Sequence, residues 1–279
     1  MRFSQLFTKT LKEASAEEVA INAQLLMRGG FVFKNSAGVY SYLPLGWRVL
    51  TKIANIIREE MNTIGGQEMF MPALVDRKYM ETTGRWNLDV GYDAKGKNEK
   101  EASFTLGWTH EEVLTAITSK YISSYKDLPF SAYQIQTKFR HEARAKSGLL
   151  RGREFMMKDL YSFHTDEDDL SKFYAQVGEA YHKIFKRCGL EAIYTVATGG
   201  DFTSSYTHEF QVLTPVGEDT VFICDKHKPV YAVNKEYIPE LEKEYGKSTN
   251  NGTTCILCGG EFKEYKGIEV GNIFPLGDK

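Results

Sequence analysis

Residues 133–164, YQIQTKFRHEARAKSGLLRGREFMMKDLYSFH, constrain the fold more than any other stretch of the chain. An alternating, β-favouring run (133–139) is followed by a basic loop (144–153) with flexible points at Gly148 and Gly152, and a second apolar run (155–163) then returns. That order predicts strand, charged loop and strand, a hairpin with its chemistry near the tip. Arg140, Arg144, Arg151 and Arg153 all fall in this stretch, with Lys146 among them. Guanidinium forks match phosphate oxygens two at a time, so the loop suits a polyanion such as a triphosphate. A solvated hairpin with surface charges is the competing reading, since charge runs usually face water.

The remaining chain narrows the class. It has 279 residues, 42% hydrophobic and 26% charged, with a net charge of −2. This is ordinary globular composition, enough for one large domain or a domain with a small module, and any contact with nucleic acid must come from local basic patches. No run approaches the ~18 apolar residues of a membrane span. The opening MRFSQLFTKTLKEAS lacks the apolar core of a signal peptide, so the expectation is a cytoplasmic protein. Of four cysteines, Cys188 stands alone, and in a reducing compartment metal is the better expectation than a disulfide for the close pair Cys255 and Cys258.

Along the chain, Val19, Ile21, Leu25 and Leu26 suit a helix ending at Gly29-Gly30, and residues 31–46 read as a hairpin with Pro44 and Gly46 as breakers. Residues 49–61 form an amphipathic helix stopped at Gly65-Gly66, and a strand at 67–71 ends at Pro72. This unit is expected either in the core or at a dimer interface. Residues 76–103 read as an irregular polar excursion. A short strand at 104–106 delivers Thr109-His110-Glu111-Glu112 to a helix over 113–125. Thr109 and Glu112 have the spacing of a capping box; Glu111 is not needed for a cap, and a Thr and Glu at a helix start could instead bind a substrate ammonium. Beyond the hairpin come a helix at 166–188 and strands at 190–196, 209–213 and 220–224. Alone, His208 reads as a hydrogen-bonded structural histidine. Hairpins dominate, which predicts an α+β fold with a mostly antiparallel sheet flanked by helices. Cys224-x-x-His227 and Cys255-x-x-Cys258-Gly-Gly are knuckle-like pairs, the second resembling half of a zinc ribbon. A degenerate ribbon without metal is the alternative. Between the pairs, 236–245 reads as a helix with Pro239 in its first turn.

Taken together, these residues resemble the N-terminal part of bacterial-type prolyl-tRNA synthetases, a class II aminoacyl-tRNA synthetase family. The resemblance covers residues 1–222 and resumes at 267–277. It is carried by SAGVYSYLPLG at 36–46, the segment around Pro72 (motif 1), Thr109-His110-Glu111-Glu112, the 133–164 stretch (motif 2), His208-Glu209-Phe210 and GIEVGNIFPLG at 267–277. It implies a class II-like antiparallel sheet, ATP-dependent activation of proline to prolyl-adenylate, and transfer of the prolyl group to tRNA(Pro). Arg140 would serve the proline carboxylate and the α-phosphate, Glu142 the adenine amino group, Phe155 adenine stacking, and Arg151 the triphosphate. Thr109 and Glu111 would hold the proline ammonium, with His208 in the proline pocket. Mg2+ on the ATP phosphates and a homodimer through the region around Pro72 are also implied.

Departures accompany the likeness. Trp108 stands where the family usually has Pro, His141 where it has Asp, and Thr203-Ser204-Ser205 replaces a glycine-rich turn. The expected organisation is a catalytic core over 1–223, a zinc-ribbon-like insert over 224–266 in place of an editing domain, and the start of a return into the core over 267–279. The insert is too short for the editing fold, so no cis-editing is expected. The chain ends before motif 3 and the anticodon-binding domain, which leads us to expect a fragment inactive alone. A non-catalytic paralogue that binds aminoacyl-tRNA or an adenylate is the alternative.

Overall fold

Helix α1 (Ile21–Arg28) stops at Gly29, as the apolar spacing predicts, although Ile21 and Leu25 remain exposed. The structure, a computed structural model, describes residues 2–13, 18–145, 147–200, 203 and 205–277. These form two compact units, Met1–Glu167 and Asp168–Lys279.

In the first unit, β1 (Val32–Ser36) and β2 (Val39–Tyr42) form an antiparallel hairpin, Val32 opposite Tyr42. Pro44, expected as a breaker, instead opens α2 (Pro44–Thr63). Its missing N–H is harmless in the first helical turn and its φ is already helical. Gly46 lies in the same turn because a Cβ there would come within 2.0 Å of the Phe31 carbonyl oxygen. The strand expected over 67–71 shrinks to β3 (Gln67–Glu68), parallel to the central hairpin. Two side chains replace its missing ladder: Met71 N–H donates to Gln134 Oε1 at 3.1 Å, and Gln136 Nε2 donates to Met71 O at 2.8 Å.

The 76–103 excursion is more regular than its polarity suggests. After β4 (Leu74–Asp76) comes α3 (Arg77–Thr82), capped by Asp76, which accepts from Lys78 N at 2.9 Å. Then β5 (Tyr92–Ala94) and β6 (Phe104–Leu106) complete a three-stranded antiparallel sheet with β6 central. Met71, Val75, Met80, Trp108, Val113 and Leu114 are buried together beneath it. Helix α4 (Glu111–Tyr121) leads to the central hairpin of β7 (Phe130–Phe139) and β8 (Glu154–Phe163), paired from Phe130–Phe163 to Phe139–Glu154.

In the second unit, α5 (Glu167–Arg187) presents Val177, Tyr181 and Ile184 inward. Five strands close a barrel in the order β10-β13-β11-β12-β9: β9 (Ala192–Thr198), β10 (Tyr206–Leu213), β11 (Asp219–Cys224), β12 (Tyr231–Asn234) and β13 (Lys263–Ile273), with α6 (Ile238–Tyr245) before the last. Phe210 on β10 is fully buried against Tyr181 and Phe185 of α5, at ring separations of 5.3 and 5.2 Å. Burying such a ring contributes about 1.5–3 kcal/mol. Strand alternation on β11 turns Val221 and Ile223 to one apolar cluster and Phe222 and Cys224 to another, which also holds Cys255. Among the described residues the pairing is antiparallel except for β3–β7 and β12–β9.

Candidate active site

Polar residues alternate on β7. Gln134, Gln136 and Lys138 occupy one face and all three are buried, Lys138 completely. A buried ammonium needs partners, and Lys138 Nζ donates to Asp159 Oδ2 on β8 at 3.0 Å. It also meets His110 Nδ1. The other ring nitrogen, His110 Nε2, lies 2.9 Å from the Pro72 carbonyl, which can only accept, so the proton sits on Nε2 and Nδ1 accepts from lysine. Burial, reinforced by the Lys138 charge, holds the His110 pKa below the ordinary range. Burial likewise lowers Lys138, with Asp159 opposing. Tyr161 donates to Asp159 Oδ2 at 3.0 Å and accepts from His110 N–H at 3.3 Å. The network fixes the backbone of the β6–α4 junction.

That junction does not form the capping box expected of Thr109 and Glu112. His110 is the N-cap and makes no side-chain cap bond. Thr109 Oγ1 donates to Glu111 Oε2. Arg85 Nη1 reaches Glu111 Oε2 at 3.0 Å and Glu112 Oε1 at 3.1 Å, and Thr83 donates to Glu112 Oε1 at 2.8 Å. Charge-assisted bonds to a guanidinium are stronger than a neutral cap, so the carboxylates turn to Arg85.

At the end of β7, Arg140 N–H donates to Arg153 O at 2.9 Å, and the Arg140 guanidinium lies over the half-buried Phe155 ring at 5.5 Å. Lys138 feels the charges of both Glu111 and Arg140. Glu142 accepts from Arg151 Nε at 3.0 Å, and its carbonyl accepts from Arg153 Nε at 2.8 Å. The tip of the β1–β2 hairpin closes on this segment: Arg153 N–H donates to Gly38 O at 2.8 Å. Arg144 is exposed, and Lys146 lies outside the described residues.

Thr109, Glu111, Arg140, Glu142, Arg151 and Phe155 therefore all belong to the first unit, and His208 to the second. His208 stacks on Tyr194 with centroids 4.1 Å apart and planes 7° apart. The Tyr174 hydroxyl donates to Ile273 O at 3.0 Å, so its oxygen must accept from His208 Nδ1 at 2.9 Å. Burial pushes the His208 pKa down to about 4. Of the altered turn before it, Ser204 lies outside the described residues.

Sequence reasoning missed Arg85, Lys138, Asp159 and Tyr161. Lys138 sits at an alternating strand position normally read as a solvent face, and Arg85 lies in the segment read as irregular. The only sequence signal was the unusual clustering of charge around the two motifs.

The cysteine pairs converge. The ligand atoms of Cys224, His227, Cys255 and Cys258 lie within 4.8 Å of one another. A tetrahedral zinc with Zn–S of about 2.3 Å and Zn–N of about 2.0–2.1 Å places its ligands about 3.8 Å apart for S···S and about 3.5 Å for N···S. The separation of Cys224 Sγ from Cys258 Sγ is 3.7 Å, and that of Cys255 Sγ from His227 Nε2 is 3.5 Å. Gly260 N–H donates to Cys258 Sγ at 3.4 Å, a contact that stabilises a thiolate. Gly259, at φ +68°, makes that turn possible. The donor set fits zinc.

Comparison with known proteins identifies the family. The chain is 48% identical over 239 residues to a proline–tRNA ligase of Geobacillus kaustophilus, covering 86% of this chain and 42% of that protein. It is 47% identical over 236 residues to one of Pelotomaculum thermopropionicum, covering 85% and 41%. The chain thus spans about two fifths of the length of these curated relatives. Among solved structures, a prolyl-tRNA synthetase of Cryptosporidium parvum complexed with L-proline and AMP superposes with a TM-score of 0.61 at 17% identity, over 68% of this chain and 39% of that one. A Giardia lamblia prolyl-tRNA synthetase in complex with prolyl-adenylate gives 0.61 at 20% identity, over 69% and 42%; these two show the shared fold. The family described as tRNA synthetase class II core domain (G, H, P, S and T) matches residues 92–273, more than half of the sequence, and the chain belongs to that family.

Proposed function

We propose that the chain is the part of a proline–tRNA ligase that activates proline with ATP and presents prolyl-adenylate to tRNA(Pro). One observation carries this reading. Glu111 is held through Oε2 by Thr109 and Arg85, and no described residue bonds Oε1. That leaves a fixed, negatively charged acceptor for a secondary ammonium. In the first step the proline carboxylate attacks the α-phosphorus of ATP and pyrophosphate leaves. Negative charge moves onto phosphate oxygens, so a fixed guanidinium there is worth most in the transition state. Arg140 takes that role and also meets the carboxylate. Phe155, already under the Arg140 guanidinium, offers a face for adenine, Glu142 an acceptor for its amino group, and Arg151 a fork for the triphosphate. Since Arg151 and Glu142 now bond each other, ATP would exchange one charge-assisted contact for another. His208, held neutral by burial and bonded to Tyr174, is the residue of the second unit that the family resemblance assigns to proline binding. No side chain need act as nucleophile, because positioning supplies much of the rate. Mg2+ would accompany the ATP phosphates and offset their charge.

The same reading assigns residues 1–223 and 267–279 to the catalytic core, and 224–266 to a zinc-ribbon-like insert. Zinc in the Cys224, His227, Cys255 and Cys258 cluster would supply only structural cross-linking, its ligands sitting on the apolar cluster of Phe222, Val233, Tyr237, Leu241 and Phe262. Exposed Trp47, Val49 and Ile53 on α2, with exposed Phe70 and Leu74 near Pro72, support a homodimer through this region. No described helix is long and apolar enough to cross a membrane, in keeping with a cytoplasmic enzyme. Proline-dependent exchange of pyrophosphate into ATP, measured in a full-length ligase that contains this segment, tests the reading. Exchange that another small amino acid supports as well as proline would overturn the proline assignment.

A further inference from the structure

We infer that Arg85, seated on Trp108, is the positioning residue that aims Glu111 at a substrate ammonium. The inference rests on the proposed role of Glu111 and extends it to the residues that seat Arg85, Trp108 and Glu112. One nitrogen, Arg85 Nη1, serves two carboxylates, Glu111 Oε2 at 3.0 Å and Glu112 Oε1 at 3.1 Å. Glu112 is the more deeply buried of the two, its side chain 3% exposed against 22% for Glu111. The guanidinium lies over the Trp108 ring at 5.7 Å, and Trp108 is itself fixed in the core with Met71, Val75 and Leu114. A guanidinium over an aromatic face gains energy and loses torsional freedom. Thr109 takes the same Oε2 as Arg85. The pair therefore fills one oxygen of Glu111 and turns the other outward.

Charge counting points the same way. Glu111 and Glu112 carry two negative charges against the single positive charge of Arg85. Lys138, the nearby buried cation, bonds Asp159. Among Arg85, Glu111 and Glu112 one negative charge is in excess, the charge that one secondary ammonium matches. Glu112 is the buried anchor for Arg85, and Glu111 the partner presented to ligand.

The test compares binding of L-proline with that of tetrahydrofuran-2-carboxylate, which has the same ring and carboxylate but no ammonium. Both are measured by NMR titration on the whole chain. Because Arg85→Gln strands the buried Glu112 charge, the double variant Arg85→Gln/Glu112→Gln is used beside it, with circular dichroism as the check of folding. Misaiming a contact costs about tenfold or more. The expected result is a loss of that size for proline in both variants, with the oxygen analogue unchanged. Equal loss of both ligands, or unchanged or tighter proline binding, would overturn the inference. Glu111→Gln separates the two readings. If it leaves proline binding intact, the ammonium role of Glu111 fails; if it weakens proline while the Arg85 variants do not, only the role of Arg85 fails.

Discussion

Lys138 on β7 and Asp159 on β8 form a buried ion pair, Nζ to Oδ2 at 3.0 Å, with the lysine side chain wholly excluded from solvent and the aspartate 10% exposed. Removing one partner leaves an uncompensated charge in the interior. Lys138→Met should therefore destabilise the chain by about 3–5 kcal/mol, while the double change Lys138→Met/Asp159→Leu should cost much less. Urea unfolding midpoints of the three proteins decide it, and equal losses in the single and double variants would refute the pairing argument.

The stability of the second unit should depend on acid through His208. Its pKa falls from 6.5 to about 4 on burial. Between these values the unfolded chain binds the proton and the folded chain does not, so stability rises with pH across that window. It is lost as pH drops from about 6.5 towards 4, by about 3 kcal/mol in total. His208→Phe, which keeps a ring against Tyr194, should flatten this dependence when thermal midpoints are compared at pH 4, 5.5 and 7.

Zinc binding should be close to stoichiometric. Purified chain is expected to carry about one zinc, and cobalt in its place to show the intense visible bands of tetrahedral thiolate coordination. Cys255→Ser should lose the metal and lower the thermal midpoint. Metal content well below one per chain after growth with added zinc would remove the proposal.

In a full-length ligase that contains this segment, Arg140→Ala should lower the exchange rate about 10²–10³-fold, the usual cost of removing a group that stabilises transition-state charge. Phe155→Leu should instead raise the KM for ATP about tenfold, the energy of a lost base stack, with little change in the KM for proline. A variant of Arg140 with unchanged exchange would end its assignment.

Gly38 should not tolerate a side chain. It has φ +74°, and a Cβ there would lie 2.6 Å from Ala145 Cβ and 2.9 Å from Arg153 N. Gly38→Ala is expected to cost about 1–3 kcal/mol. It should also weaken ATP binding, since Arg153 N–H bonds the Gly38 carbonyl.

Local signals made much of this chain legible before its fold was known. The alternation of β7 and β8, the short strand β6, the acidic start of α4 and the two cysteine-containing pairs depend on residues close in sequence, and each appears near its expected place. Pro44 was misread because proline stops a helix inside but starts one at its first turn. Helix α3 and strand β5 were hidden because they are short, six and three residues, and carry few apolar side chains, too little for a periodicity to show. The candidate site divides similarly. Thr109, Glu111, Arg140 and Phe155 stand in motifs that the family resemblance marks. Arg85 carries no local mark, and its role appears only when residues more than 20 positions apart meet.

The sequence by itself determined the longer helices and strands, which residues carry charge at the hairpin and β6–α4 junction, and which four side chains can take a metal. Periodicity, turn residues and residue chemistry act over a few positions and need no fold. Tertiary structure alone decided that Lys138 is buried rather than solvated, that Glu111 and Glu112 turn to Arg85 rather than cap α4, and that the donor atoms of Cys224, His227, Cys255 and Cys258 converge within 4.8 Å. Those outcomes turn on burial and on distances between remote residues, which set the strength of a charge and the partner it takes.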